Sequence, residues 1–454
     1  MTDTKSLRAL AADLRDRRTT ARALLEASAT AHDPALNAYK LWAPDFAARQ
    51  AEAADAAFAA GVVAGPLQGI PTSVKDLYGV AGLPTFAGSP RELPERWQNE
   101  GPVVAGLRRQ LPVITGKTHT VEFAFGGLGA NAHWPVPWNP RDRKTHRAPG
   151  GSSSGAGVSL VEGTALLAFG TDTAGSVRIP ASFTGTVALK TTWGRWSTDG
   201  IVPLSFSLDT AGILTRSVAD AAFAFAALDG AVVPAMDGLL GCRVGIARNF
   251  FFDDLAPGIG EAVEAALAVL EKVGARLSEF APPNCAELHA IYALGGIAAP
   301  ELYAFLRREL PEWIETLDPR VRRRVEPGKD LAAWEYLDRK AIYATQGRAT
   351  AEALRMFDVL VTPTVPIAPP AMAEVNDDTR YSPLNMQALR NTSMVSFLGL
   401  CALTLPIGFD AVGLPVGLQL IAPPMGEAKL LAVAAAFERA FAKAELWTPP
   451  ASLD

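Results

Sequence analysis

The stretch PGGSSSGAGVSLVEGTALLAFGTDTAGSVRIP, residues 149–180, decides how this chain is read. It carries two serines, Ser152 and Ser176, each set in a turn of glycines and other small residues. The run between them, VSLVEGTALLAF, has the apolar spacing of a helix and leads directly into the second turn. The Gly/Ser segment 150–157 is too short for a linker, so both turns belong to a folded core. Upstream, GIPTSVKD at 69–76 sets Lys75 among apolar and small residues, with Asp76 its one immediate charged neighbour.

These pieces suit the cleavage of an amide. The amide carbonyl is stabilised by resonance, so an enzyme needs an activated nucleophile, a proton carrier and donors for the developing oxyanion. A lysine can act as the base when burial lowers its pKa from about 10.4 toward neutrality. In TDTAGS, residues 171–176, the small Ala174 and Gly175 let successive backbone N–H groups converge beside the Ser176 hydroxyl. The glycines before Ser152 tolerate unusual backbone geometry, which lets Ser152 bridge lysine and nucleophile.

Outward from these turns, the composition is that of a packed globular protein. Of 454 residues, 49% are hydrophobic and 20% charged, and the net charge is −5. That balance offers no basic field for nucleic acid, and the basic runs 141–147 and 320–324 read as solvated faces. The three cysteines, Cys242, Cys285 and Cys401, are odd in number and widely spaced, which argues against disulfides and a zinc site. The charged N-terminus lacks the apolar core of a signal peptide, and no run reaches the length of a membrane span, so a cytoplasmic protein is expected.

Helical spacing covers residues 5–30 and 44–61, with AYKLW between them as a strand. Over 66–130 the apolar runs LQGIPTSVKD, LPVITGKT and EFAFGGLG alternate with Gly/Pro turns, and VAGLRRQL forms a short helix among them. This alternation predicts βα units and a mixed sheet. Further helices are predicted from 218, capped by Ser217, over 259–273, across most of 286–345, and in GEAKLLAVAAAFERAF. LGCRVGIARN, DVLVTPTVPI and LPVGLQLIAPP read as strands. No linker divides the chain, so one domain over 1–454 is expected, with a catalytic core at about 66–220.

The chain resembles the amidase signature family, whose site is a serine–cis-serine–lysine triad. The likeness rests on GIPTSVKD, GKTHTVEFAFGGLGANAHWPVPWNP, APGGSSSGAG, GTDTAGSVRIPASFTGTVALK, SLDTAGILTRSVADAA, DVLVTPTVP and GLPVGLQLIAP, in that order along nearly the whole length. The resemblance implies Lys75 as general base, Ser152 as bridging serine on a cis peptide, and Ser176 as the nucleophile that is acylated. It implies an oxyanion hole from the backbone amides of Thr173, Ala174, Gly175 and Ser176, with Asp172 and Arg178 bracing the loop. The implied fold is α/β, a mixed sheet of about eleven strands covered by helices on both faces, and the implied reaction needs no cofactor or metal.

Departures from the family pattern are Ala174 for glycine, His119 for asparagine and Thr191 for proline. The expected partner is a small amide, carbamate or urea-type substrate; no nucleic acid or membrane partner is expected, and association as a homodimer is left open. The alternative is the glutamine-hydrolysing component of a tRNA-dependent amidotransferase. Such components carry a carboxylate where this chain has Leu389 and Arg390. Residues 151–155 also spell G-x-S-x-G around Ser153, but only His289 follows to serve an α/β-hydrolase triad. A loose dinucleotide fingerprint at 127–132 lacks the acidic residue it requires. Specificity is expected from the helical stretch 286–345 and the loops of 120–146, with tryptophans 134, 138, 193 and 196 as candidate pocket walls.

Overall fold

Strand side chains alternate between two faces, and here each face meets its own helices. In the computed structural model, which describes residues 5–447, eleven strands form one mixed sheet. They are β1 (Tyr39–Trp42), β2 (Pro71–Lys75), β3 (Val113–Thr118), β4 (Leu167–Asp172), β5 (Val187–Lys190), β6 (Thr210–Thr215), β7 (Arg243–Ile246), β8 (Arg276–Glu279), β9 (Val359–Pro363), β10 (Cys401–Phe409) and β11 (Pro415–Ala422). Their order across the sheet is β1-β3-β2-β4-β6-β5-β10-β11-β9-β7-β8. β2 runs parallel to both β3 and β4, β7 runs parallel to β8 and β9, and the central pairs from β4 to β9 are antiparallel.

Leu167 and Phe169 of β4, Leu189 of β5 and Leu403 and Leu405 of β10 enter one core with the helices Ile259–Lys272 and Glu427–Lys443. Ala168, Ala188 and Leu214, one position out of phase, pack on the opposite face. There they meet Ala156 and Leu160 of the helix Ser154–Glu162, and Ala181 of the helix Arg178–Thr184. The α/β class, the eleven strands and the two helical layers therefore match the sequence reading. No helix among the described residues is long and apolar enough to cross a membrane.

Three local readings are corrected. The expected helix over 5–30 is two helices, Leu7–Arg15 and Ala21–Ala31, the second started by a Thr20 cap that accepts from the Ala23 amide. VSLVEGTALLAF is helix only to Glu162. Gly163 ends it at φ 92°, a left-handed conformation open to glycine, and the remaining apolar residues become β4. EFAFGGLG, expected in the βα alternation, is a short turn over Glu122–Ala124 whose Phe123 and Ala124 both take positive φ. The Ser217 cap is as expected, its hydroxyl accepting from the Asp220 amide.

Candidate functional site

Alternation along β2 sends Val74 into one core and turns Ser73 and Lys75 to the other face, under the helix Ser154–Glu162. Ser73 meets Ser159 of that helix at 3.0 Å, and Lys75 reaches the turn that precedes it. Lys75 Nζ donates to Ser152 Oγ at 2.7 Å and to Thr171 Oγ1, at the end of the neighbouring β4, also at 2.7 Å. The lysine is fully buried, and burial lowers its pKa to about 7 against a weaker opposing pull from Asp209 and Asp172. The neutral amine is then accessible near neutral pH, unlike that of an ordinary lysine.

The Gly151–Ser152 peptide is cis. The Ser153 amide donates to the Ser176 carbonyl at 3.2 Å, which ties the first serine turn to the second. Ser176 itself lines a narrow cavity, together with Thr173 and Ala174 from its own turn. The sequence-predicted Lys75, Ser152 and Ser176 thus converge at the ends of β2 and β4.

The turn after β4 is held from beneath by a buried ion pair. Arg178 donates from Nε at 3.0 Å and from Nη2 at 2.8 Å to the Asp172 carboxylate, and its remaining donors reach Gln419 and Ser396. Burial pushes the Asp172 carboxyl up, but the Arg178 charge and hydrogen bonds outweigh this and leave it below the usual carboxylate range. Asp172 accepts in turn from the amides of Gly175 (2.8 Å) and Val177 (3.2 Å). Gly175 has φ 136°, and a Cβ there would stand 2.1 Å from Thr392 Oγ1. Thr392 spends that hydroxyl on the Ala174 carbonyl at 2.7 Å. Glycine is required at 175 on both counts.

One expected oxyanion donor is thereby corrected. The Gly175 amide is already committed to Asp172, whereas the amides of Thr173, Ala174 and Ser176 have no acceptor among the described residues. A second carboxylate stabilises the same turn. Asp209 accepts from Thr173 Oγ1 at 2.6 Å and from the amides of Leu204 and Ser205, while burial raises its pKa to about 6.

Sequence reasoning misses Thr171 and Asp209, although both stand inside quoted motifs, GTDTAGS and SLDTAGILTRS. Arg324, by sequence part of a solvated basic run, instead lines the cavity. The four candidate tryptophans lie elsewhere: the cavity's aromatic walls are Phe125, Tyr292 and Phe397. Trp134 covers Lys40, Trp138 stacks on His146, Trp196 packs on Phe225, and Trp193 is largely exposed. His119 is buried against Asn37, and burial pushes its pKa down to about 3; His133 faces Glu122 at 3.2 Å. Among the described residues no cluster of three His, Cys, Asp or Glu side chains has the arrangement of a metal site.

The site can be compared with known proteins. The sequence profile of the family described as Amidase matches residues 20–431. The chain is 54% identical over 440 residues to a 2-amino-5-chloromuconic acid deaminase of Comamonas testosteroni, covering 95% of each. It is 34% identical over 449 residues to a component of the glutamyl-tRNA(Gln) amidotransferase of Geobacter sp. (strain M21), covering 90% of each. A crystal structure of an amidase superposes with a TM-score of 0.85 at 32% identity, over 98% of this chain and 100% of that one.

Proposed function

The chain belongs to the amidase family and is a hydrolase of carbon–nitrogen bonds other than peptide bonds, and from that premise we propose that Ser176 is its nucleophile, Ser152 its proton bridge and Lys75 its base. The observation that carries the reading is the 2.7 Å contact between a fully buried Lys75 Nζ and Ser152 Oγ. An amine whose pKa burial lowers to about 7 is available in its neutral form to accept a proton near neutral pH.

As the Ser176 oxygen adds to the substrate carbonyl, its proton passes to Ser152, and the Ser152 proton passes to Lys75. The carbonyl oxygen becomes an anion and is met by the free amides of Thr173, Ala174 and Ser176. Lys75 then returns its proton through Ser152 to the departing nitrogen, which leaves as ammonia or an amine. Water, deprotonated along the same route, cleaves the ester on Ser176 and releases the acid. The 54% identical relative is a deaminase, which favours ammonia as the product here.

The glutamine-hydrolysing alternative is weaker. Among the described residues no Asp or Glu lines the cavity to pair with the α-ammonium of glutamine. Leu389 lines the wall, and Arg390 turns away to the Asp253 carbonyl and Asn391.

Labelling with a fluorophosphonate tests the assignment. Wild-type protein is expected to take one label at Ser176, with ammonia release from small amides abolished by the same reagent. Unchanged labelling or turnover in Ser176→Ala would refute it.

A further inference from the structure

The cavity that Ser176 opens onto is walled chiefly by apolar side chains, among them Leu204, Leu208, Leu389 and Phe397, yet among the described residues it contains one cation. Arg324 comes from the last turn of the helix Pro319–Val325 and is half-buried. Its guanidinium lies 4.1 Å from the centre of the Phe125 ring. Nη1 donates to the Phe125 carbonyl at 2.9 Å and Nη2 to the Tyr292 hydroxyl at 3.0 Å. Both acceptors are neutral. The neighbouring Arg322 and Arg323 pair with Glu315 and Asp378, but no carboxylate among the described residues pairs with Arg324.

A guanidinium has five N–H donors in a planar fork, and two of these five are engaged here. A charge placed against apolar walls is costly until it is paired. The free donors, the missing counter-ion and the shared wall with Ser176 all describe a receptor for an anion that arrives with the substrate. A planar carboxylate matches the fork with two parallel hydrogen bonds. The apolar side chains between accommodate a short hydrocarbon spacer, and the narrowness of the cavity limits the whole to a small molecule.

We infer that Arg324 binds a carboxylate at the end of the substrate remote from the bond broken at Ser176, so that the substrates are short monoamides of dicarboxylic acids or their close relatives. This rests on the reading of Ser176 as nucleophile, and the two are separable by experiment. The test of Arg324 is calorimetric binding of succinate and of its neutral analogue succinamide to wild type, Arg324→Lys and Arg324→Gln, with the series malonate to adipate titrated into wild type. Succinate affinity should fall on the order of 30-fold in the Gln variant and less in the Lys variant, as expected for a charge-assisted hydrogen bond. Succinamide affinity should be the same in all three.

A structural role alone would weaken both ligands together, and that result overturns the inference. So does equal binding of succinate and succinamide to wild type, or failure of every member of the series to bind at millimolar concentration. If the Gln variant does not fold, the wild-type comparison and the Lys variant decide. Binding does not require a reactive serine, so loss of Ser176 labelling would sink the nucleophile assignment without touching these titrations.

Discussion

Replacing Lys75 with methionine should abolish activity and at the same time stabilise the protein at neutral pH, by an amount that depends on pH. In the folded chain burial lowers the Lys75 pKa from its ordinary 10.5 to about 7. Above pH 10.5 the amine is neutral folded or unfolded, and burying it carries no ionisation cost. As pH falls, the unfolded chain binds the proton first, so stability drops by about 1.4 kcal/mol per pH unit. Near pH 7 the folded amine protonates as well and the cost levels off at about 4–5 kcal/mol.

Methionine has similar reach and no charge, so it escapes this cost. It also deprives Ser152 and Thr171 of their donor, which returns about 1 kcal/mol for each hydrogen bond. A net gain of about 2–3 kcal/mol at pH 7, falling to zero near pH 9 and becoming a loss of about 2 kcal/mol at pH 10.5, is the expected result. Chemical denaturation of both proteins from pH 6 to 10.5 measures it. A variant destabilised at pH 7, or a difference that does not change with pH, would refute the reasoning.

On a small amide, kcat/KM should fall about tenfold per pH unit below pH 7, as Lys75 takes up its proton, and should flatten above it. Gly175→Ala meets both the left-handed φ and the Thr392 hydroxyl, and by displacing the amides beside it should lower kcat about 100-fold or more, read by steady-state ammonia release. Arg178→Met leaves a buried, unpaired Asp172 and should cost about 3–5 kcal/mol in denaturant unfolding.

The serine and lysine positions are legible in the sequence because their chemistry is written locally. Glycines flank both turns, and a lone lysine follows Pro-Thr-Ser-Val in a run that pairs as an interior strand. Boundaries are less legible, as at Gly163. The Glu-Gly-Thr interruption at 162–164 is brief and apolar residues resume at once, so the left-handed turn at Gly163 is what separates helix from strand. The Gly175 amide is easily misread because nothing in TDTAGS indicates that the Asp172 carboxylate, only three residues before, folds back to claim it. Arg324 is the hardest case. Three consecutive arginines follow Val321, and which one enters the cavity depends on packing against Phe125 and Tyr292, far away in sequence.

The residues proposed to break the bond all precede position 180, whereas much of the wall before them, Tyr292, Arg324, Leu389 and Phe397, follows position 290. The chain thus writes its reactivity and a large share of its selectivity in different paragraphs. Exchange of the later stretch between relatives could redirect such an enzyme to a new compound while its bond-breaking machinery is inherited unaltered.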